Sequence, residues 1–211
     1  MLFDVTRGEL VALFGAERIA TLATSAFPPA VADTEGARFL RSVGVPTGTL
    51  LLRKPDEESG RLPLVQEVLD VLDLDGFQGF EDLGDASPDA GGWPVFGWLL
   101  NAHLALAPGT GKVYAFDADE ETVRELHTDV SSLVQVTLRF QRLLEEFAFD
   151  GDEEAEFERL EGEVERIRQE TNGIDALPFR DDETVWSVVG EEIAAGGRFT
   201  GDSPAGRSLY G

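Results

Sequence analysis

Val95-Phe-Gly-Trp-Leu-Leu100, His103-Leu-Ala-Leu-Ala107 and Lys112-Val-Tyr-Ala-Phe116 are three short apolar runs in close succession. Asn101-Ala102 separates the first pair, and Pro108-Gly-Thr-Gly111 separates the second. Turn chemistry between apolar runs at this spacing predicts an antiparallel meander. Val123 to Leu126 adds an edge strand, and Thr49 to Arg53 reads as a brief strand upstream. The segment Ala107 to Lys112 has the outward look of a phosphate-binding loop. It lacks the earlier glycine, where Leu106 stands, and the Ser or Thr after the lysine, where Val113 stands. It is therefore read as a hairpin turn.

Helices flank this sheet in the sequence. Thr6 with Glu9 forms a capping box ahead of Leu10, Val11, Leu13 and Phe14, and Gly15 closes that helix. Phe27-Pro28-Pro29 marks a break. Glu35 to Val43 predicts a helix with Phe39, Leu40 and Val43 on one face and Gly44 past its end. Leu64 to Leu74 fits helix or strand, and Asp75 to Gly92, rich in Gly, Asp, Ser and Pro, reads as a loop. Downstream, Ser131 or Ser132 caps a helix carrying Leu133, Val136, Phe140, Leu143, Leu144 and Phe147 at three- and four-residue steps. Phe157, Leu160, Val164 and Ile167 repeat the pattern in a helix with an acidic outer face, ended by Asn172-Gly173. Asp182 to Ala195 gives a last helix, stopped by Gly196-Gly197. The fold class is α+β, a single domain over residues 1–198 with a twisted antiparallel sheet and a flexible tail at 199–211. Trp186 belongs to its core, and Trp93 and Trp98 to core or rim.

Composition narrows the function. The 211 residues carry 41 Asp and Glu against 17 Lys and Arg, a formal charge of −24. Such a surface repels phosphate backbones and anionic lipid, so direct nucleic-acid or membrane binding is not expected and basic partners are. Cysteine is absent, which excludes disulfides, thiolate nucleophiles and cysteine zinc sites. No basic region followed by an apolar core opens the sequence, and Trp93 to Leu106 is too short to span a bilayer, so a cytoplasmic location is expected.

No catalytic pattern emerges. There is no nucleophile elbow and no metal-ligand spacing. His103 sits in an apolar strand and reads as packed and hydrogen-bonded, while His127 beside Asp129 reads as surface pairing. Two acidic runs remain, Asp117, Asp119, Glu120 and Glu121 after a strand, and Asp152, Glu153, Glu154 and Glu156 ahead of a helix. Neither matches a calcium-binding loop. They are read as solvated carboxylates or as an electrostatic docking surface, and they are the candidate partner-binding residues.

Four stretches carry a resemblance. Thr34 to Pro46 holds a helix ending in Gly44-Val45-Pro46. Leu104 to Asp117 holds a strand, a turn and a strand around Thr110-Gly-Lys-Val-Tyr114. Ser132 to Phe147 is the next helix, and Trp186 to Gly197 is a closing helix ahead of glycines. In this order they resemble the SUKH superfamily, and within it the fourth group of immunity proteins, over most of residues 5 to 197. The acidic helix from Asp152 to Glu170 and the stretch from Asp75 to Gly92 depart from that pattern. The resemblance implies one α+β domain, no enzymatic activity, no cofactor and no metal. It also implies a protein that binds and neutralises a polymorphic toxin, a nuclease or nucleic-acid deaminase. Two alternatives stand beside it: a regulatory or scaffold module binding a housekeeping protein, and an enzyme using paired carboxylates with magnesium.

Overall fold

The computed structural model describes residues 1–70 and 74–210, with backbone alone at 82 and 84–88, and the fold is mixed α+β. It comprises two compact units, residues 1–134 and 135–211.

The first unit opens with α1 (Arg7–Phe14). Both halves of its capping box form: the Thr6 side chain accepts the Glu9 amide, and Glu9 accepts the Thr6 amide at 2.8 Å. β1 (Ile19–Ala20) follows, then α2 (Pro29–Ala32) with proline in its first turn, so the expected break at Phe27–Pro29 is also a helix start. α3 (Glu35–Ser42) buries Phe39 and Leu40, and Gly44 beyond it takes a φ of +82°. β2 (Val45–Pro46) returns to pair with β1 in a small antiparallel sheet that the sequence reading did not foresee.

β3 (Leu51–Leu52) is followed by α4 (Val65–Leu69), which settles the first part of the 64–74 stretch as helix; residues 71–73 of that expectation lie outside the described residues. Next come β4 (Val95–Leu99), β5 (Ala102–Leu106), β6 (Val113–Asp117) and β7 (Thr122–His127). They form one antiparallel sheet in the order β3-β4-β5-β6-β7. The meander is as predicted.

The register explains how its two faces are used. A bulge between Val95 and Gly97 lets Val95 pair with Ala105 while Trp98 pairs with His103, so Val95 and Trp98 share a face although three residues apart. On this face Val95, Ala105, Tyr114, Phe116 and Val123 pack against Val65, Phe77, Leu83, Ala90 and Trp93. The 75–92 stretch is thus not an open loop: Phe80–Gly92 runs as 3-10 turns whose buried apolar side chains cover the sheet. On the opposite face lie Leu104, Leu106, Val113 and Ala115. There α3 approaches so closely that a Cβ on Gly36 would stand 2.9 Å from Leu106 Cδ1 and 3.2 Å from Val130 Cγ2.

α5 (Val130–Glu146) begins at the end of the first unit. Its N-terminus is capped by Asp129, whose Oδ1 accepts the Ser132 amide at 3.0 Å. The expected caps, Ser131 and Ser132, lie inside the first turn and are buried.

The second unit contains the rest of α5 with α6 (Glu153–Asn172), α7 (Val185–Ala194) and α8 (Pro204–Tyr210). Phe140 of α5 stacks on Trp186 of α7, with ring centroids 5.5 Å apart and planes 10° from parallel. Phe147, Phe149, Phe157 and Phe199 form a second aromatic group. Within the stretch 199–211, expected to be a flexible tail, Pro204–Tyr210 forms a helix instead. Phe199 and Ala205 are buried, the Ala205 amide donates to Phe147 O at 3.0 Å, and Tyr210 Oη donates to Gly196 O at 3.1 Å. Glycine and serine enrichment hid these few anchoring contacts. No described helix is long and apolar enough to cross a membrane.

Candidate partner-binding surface

The first acidic run forms the β6–β7 hairpin. Asp117 Oδ1 accepts the amides of Asp119 at 2.9 Å and Glu120 at 3.1 Å, so this carboxylate shapes the turn. Glu121 takes a left-handed φ of +50°, and its carbonyl accepts the Gln78 amide at 2.8 Å. The side chains of Asp119, Glu120 and Glu121 point to solvent and meet no cationic partner among the described residues.

The second run opens α6 in the other unit. Asp152 is the N-cap and accepts the Ala155 amide at 3.3 Å. Glu153 and Glu154 are exposed in the first turn, where the helix dipole favours negative charge. Glu156 differs. It pairs with Arg159, which lies 4.0 Å over the Phe147 ring and donates to Ala148 O at 2.6 Å. Its charge is therefore engaged within the unit.

Between α6 and α7 runs a groove of about 620 Å³. Val164, Trp186, Gly190 and Ala194 lie along its floor, and Glu158, Glu161, Glu165 and Glu191 along its sides. Gly190 permits the close approach, since a Cβ there would stand 3.1 Å from Val164 Cγ1. An adjoining hollow reaches Asp152, Glu153 and Glu154. Arg168, also in the groove, donates to Ser187 Oγ at 3.2 Å and sits over Phe179. The sequence reading had noted the acidic outer face of α6 but not this groove, because its other wall comes from a helix far along the chain.

The histidines depart from expectation. His127 is fully buried, and its Nδ1 lies 2.9 Å from Ser132 Oγ. The anticipated surface position is not what is found, and Asp129 caps α5 and accepts the Leu2 amide and the Ser131 hydroxyl, both at 2.6 Å. His103 is half-buried, and its Nδ1 has no hydrogen-bond partner among the described residues. Desolvation, then the neighbouring Arg53 charge, hold its pKa below the usual histidine value, with Asp117 acting weakly against them. No group of three or more His, Asp or Glu side chains gathers as a metal site among the described residues.

One feature escaped the sequence reading. Leu51 pairs with Trp98 across β3 and β4, and the two are 46% and 38% exposed. Arg53 lies over the Trp98 ring at 5.7 Å, and its Nη1 is buried without an acceptor among the described residues. Trp93, by contrast, is core, packed on Tyr114 at 4.8 Å, and Trp186 is core as expected.

A model of the SUKH-4 immunity protein family matches residues 5–192. The match runs through the acidic helix α6 and the 75–92 stretch, both of which the sequence reading had set outside the family pattern. No curated protein and no solved structure matches the chain significantly.

Proposed function

Because the chain belongs to the SUKH-4 immunity protein family, we propose that it neutralises a cognate toxin domain in the cytoplasm by binding it one to one, without catalysis. The observation that carries this reading is the family match across residues 5–192. Charge gives the partner its chemistry. A nuclease or nucleic-acid deaminase must hold phosphates on a basic surface. A chain of net charge −24 is attracted to such a surface, and carboxylates that meet no cation among the described residues accelerate the encounter. The proposed contact residues are Asp119, Glu120 and Glu121 in one unit and Asp152, Glu153 and Glu154 in the other, while Asp117 shapes its turn and Glu156 is held by Arg159. An interface of standard size buries about 1,600 Å² in total, shared between the partners.

The test is affinity capture with the tagged full chain from its native lysate, at low and moderate salt, read by mass spectrometry. Peptides from the C-terminal end of one large secreted protein, retained in near-equimolar amount and weakened by salt, are the expected result. Stoichiometric capture of a housekeeping protein would replace the immunity reading with the scaffold one.

A further inference from the structure

The open corner of the sheet in the first unit brings together three things that a docking site needs. The first is an apolar anchor. The cover laid over this face by Val65 to Trp93 reaches Phe116 and Val123, yet Trp98 and Leu51, on the same face, remain exposed. A tryptophan of this kind is a common energetic centre of an interface. The second is unmet hydrogen bonding. Arg53 Nη1 and His103 Nδ1 flank Trp98, and both are buried without partners among the described residues. Arg53 is already held over the indole ring, so its orientation is set before anything binds.

The third is charge. The row Leu51–Trp98–His103 is followed, one residue along the strands, by the row Leu99–Ala102–Asp117. Asp117 therefore lies two strands across and one residue along from Trp98, about 10 Å away, and the hairpin carboxylates follow it. The Asp117 side chain, one residue along, faces the other side of the sheet and holds the turn, so the charge bordering this corner is that of exposed Asp119, Glu120 and Glu121, which have no cationic partner among the described residues.

We propose that this corner, centred on Trp98 and Leu51 and bordered by the Asp119–Glu121 hairpin, docks a basic segment of the toxin domain; the proposal rests on the immunity reading. The segment lays an apolar side chain on Trp98 and Leu51. Its lysines or arginines reach the hairpin carboxylates. A second copy of this chain fits poorly, because a two-fold contact would set the same carboxylates against each other.

Photo-crosslinking in producing cells tests this with the full chain. A benzoylphenylalanine replaces Leu51, Trp98 or Glu120 in turn, with Glu153 reporting separately on the second acidic patch and exposed Ile174 as control. Adducts from the first three, mapped to one protein at a peptide with Lys or Arg beside an apolar residue, are expected. Trp98→Ala should then lower the retained partner at least tenfold under conditions where circular dichroism shows the variant folded. Adducts from Glu153 or Ile174 alone would overturn this surface and leave the immunity reading standing. Adducts to a second copy, or to an acidic or uncharged peptide, would overturn the occupant. Silence at every position would overturn both the surface and the immunity reading.

Discussion

Gly44 offers a sharp test of the packing argument. Its φ of +82° lies where an L side chain is strained, and a Cβ there would stand 2.4 Å from Ala20 O and 2.8 Å from Thr21 Cγ2. The carbonyl cannot easily retreat, because Ala20 pairs with Val45 in the β1–β2 sheet. Gly60 is the natural control: its φ is +67°, and nothing lies within 4 Å of an added Cβ. At either site alanine adds about 1–2 kcal/mol of left-handed strain and recovers about 0.4–1 kcal/mol by restricting the unfolded chain. Gly60→Ala should therefore destabilise by about 0–1.6 kcal/mol. Gly44→Ala adds overpacking against backbone, typically about 1–3 kcal/mol. Urea melts of the two variants should differ by that last amount, or roughly 1 M in midpoint for an ordinary slope. Coincident midpoints would mean that the chain beyond α3 relaxes without resistance, and the close approach of Gly44 to β1 would carry no weight.

His103 gives a pH signature. Its pKa is depressed in the folded chain, so below the unfolded value the unfolded state takes up a proton that the folded state resists. Stability should fall as pH drops from 7 through the unfolded pKa toward the folded one. His103→Gln should flatten that slope between pH 7 and 5.5, read by urea midpoint. Glu153→Gln with Glu154→Gln should slow association with the captured partner and reduce its salt dependence, measured by stopped flow. Glu156→Gln should leave the rate alone and lower the melting temperature slightly, because Glu156 is spent on Arg159. Trp186→Ala, which removes the stacked partner of Phe140, should cost about 3–5 kcal/mol in a thermal or denaturant melt.

The meander was legible because its turns are local: Pro108-Gly-Thr-Gly111 and the apolar runs around it need no distant information. Helices α1, α3, α5, α6 and α7 were legible from spacing and caps for the same reason. The β1–β2 pair was not, since two-residue strands leave no period to read. The 80–92 segment was misread because a few apolar residues do the covering in a stretch dominated by turn formers. Trp98 was undecidable from alternation. Its facing depends on the bulge at Val95–Gly97, and its exposure depends on where the 65–93 cover stops. The acidic runs were visible as charge, but which carboxylates are already engaged depends on arginines such as Arg159, placed by helix geometry.

The sheet borders have a consequence for a protein that must be on hand before it is needed. β3 offers only two residues at one border, and at the other Gln78 bonds to Glu121 and Val123, occupying part of the outer side of β7. Neither border gives a long bare template for strand addition between copies, and like charges on every molecule keep them apart in solution. High concentrations of the chain are thereby tolerated without short edge strands seeding its own precipitation.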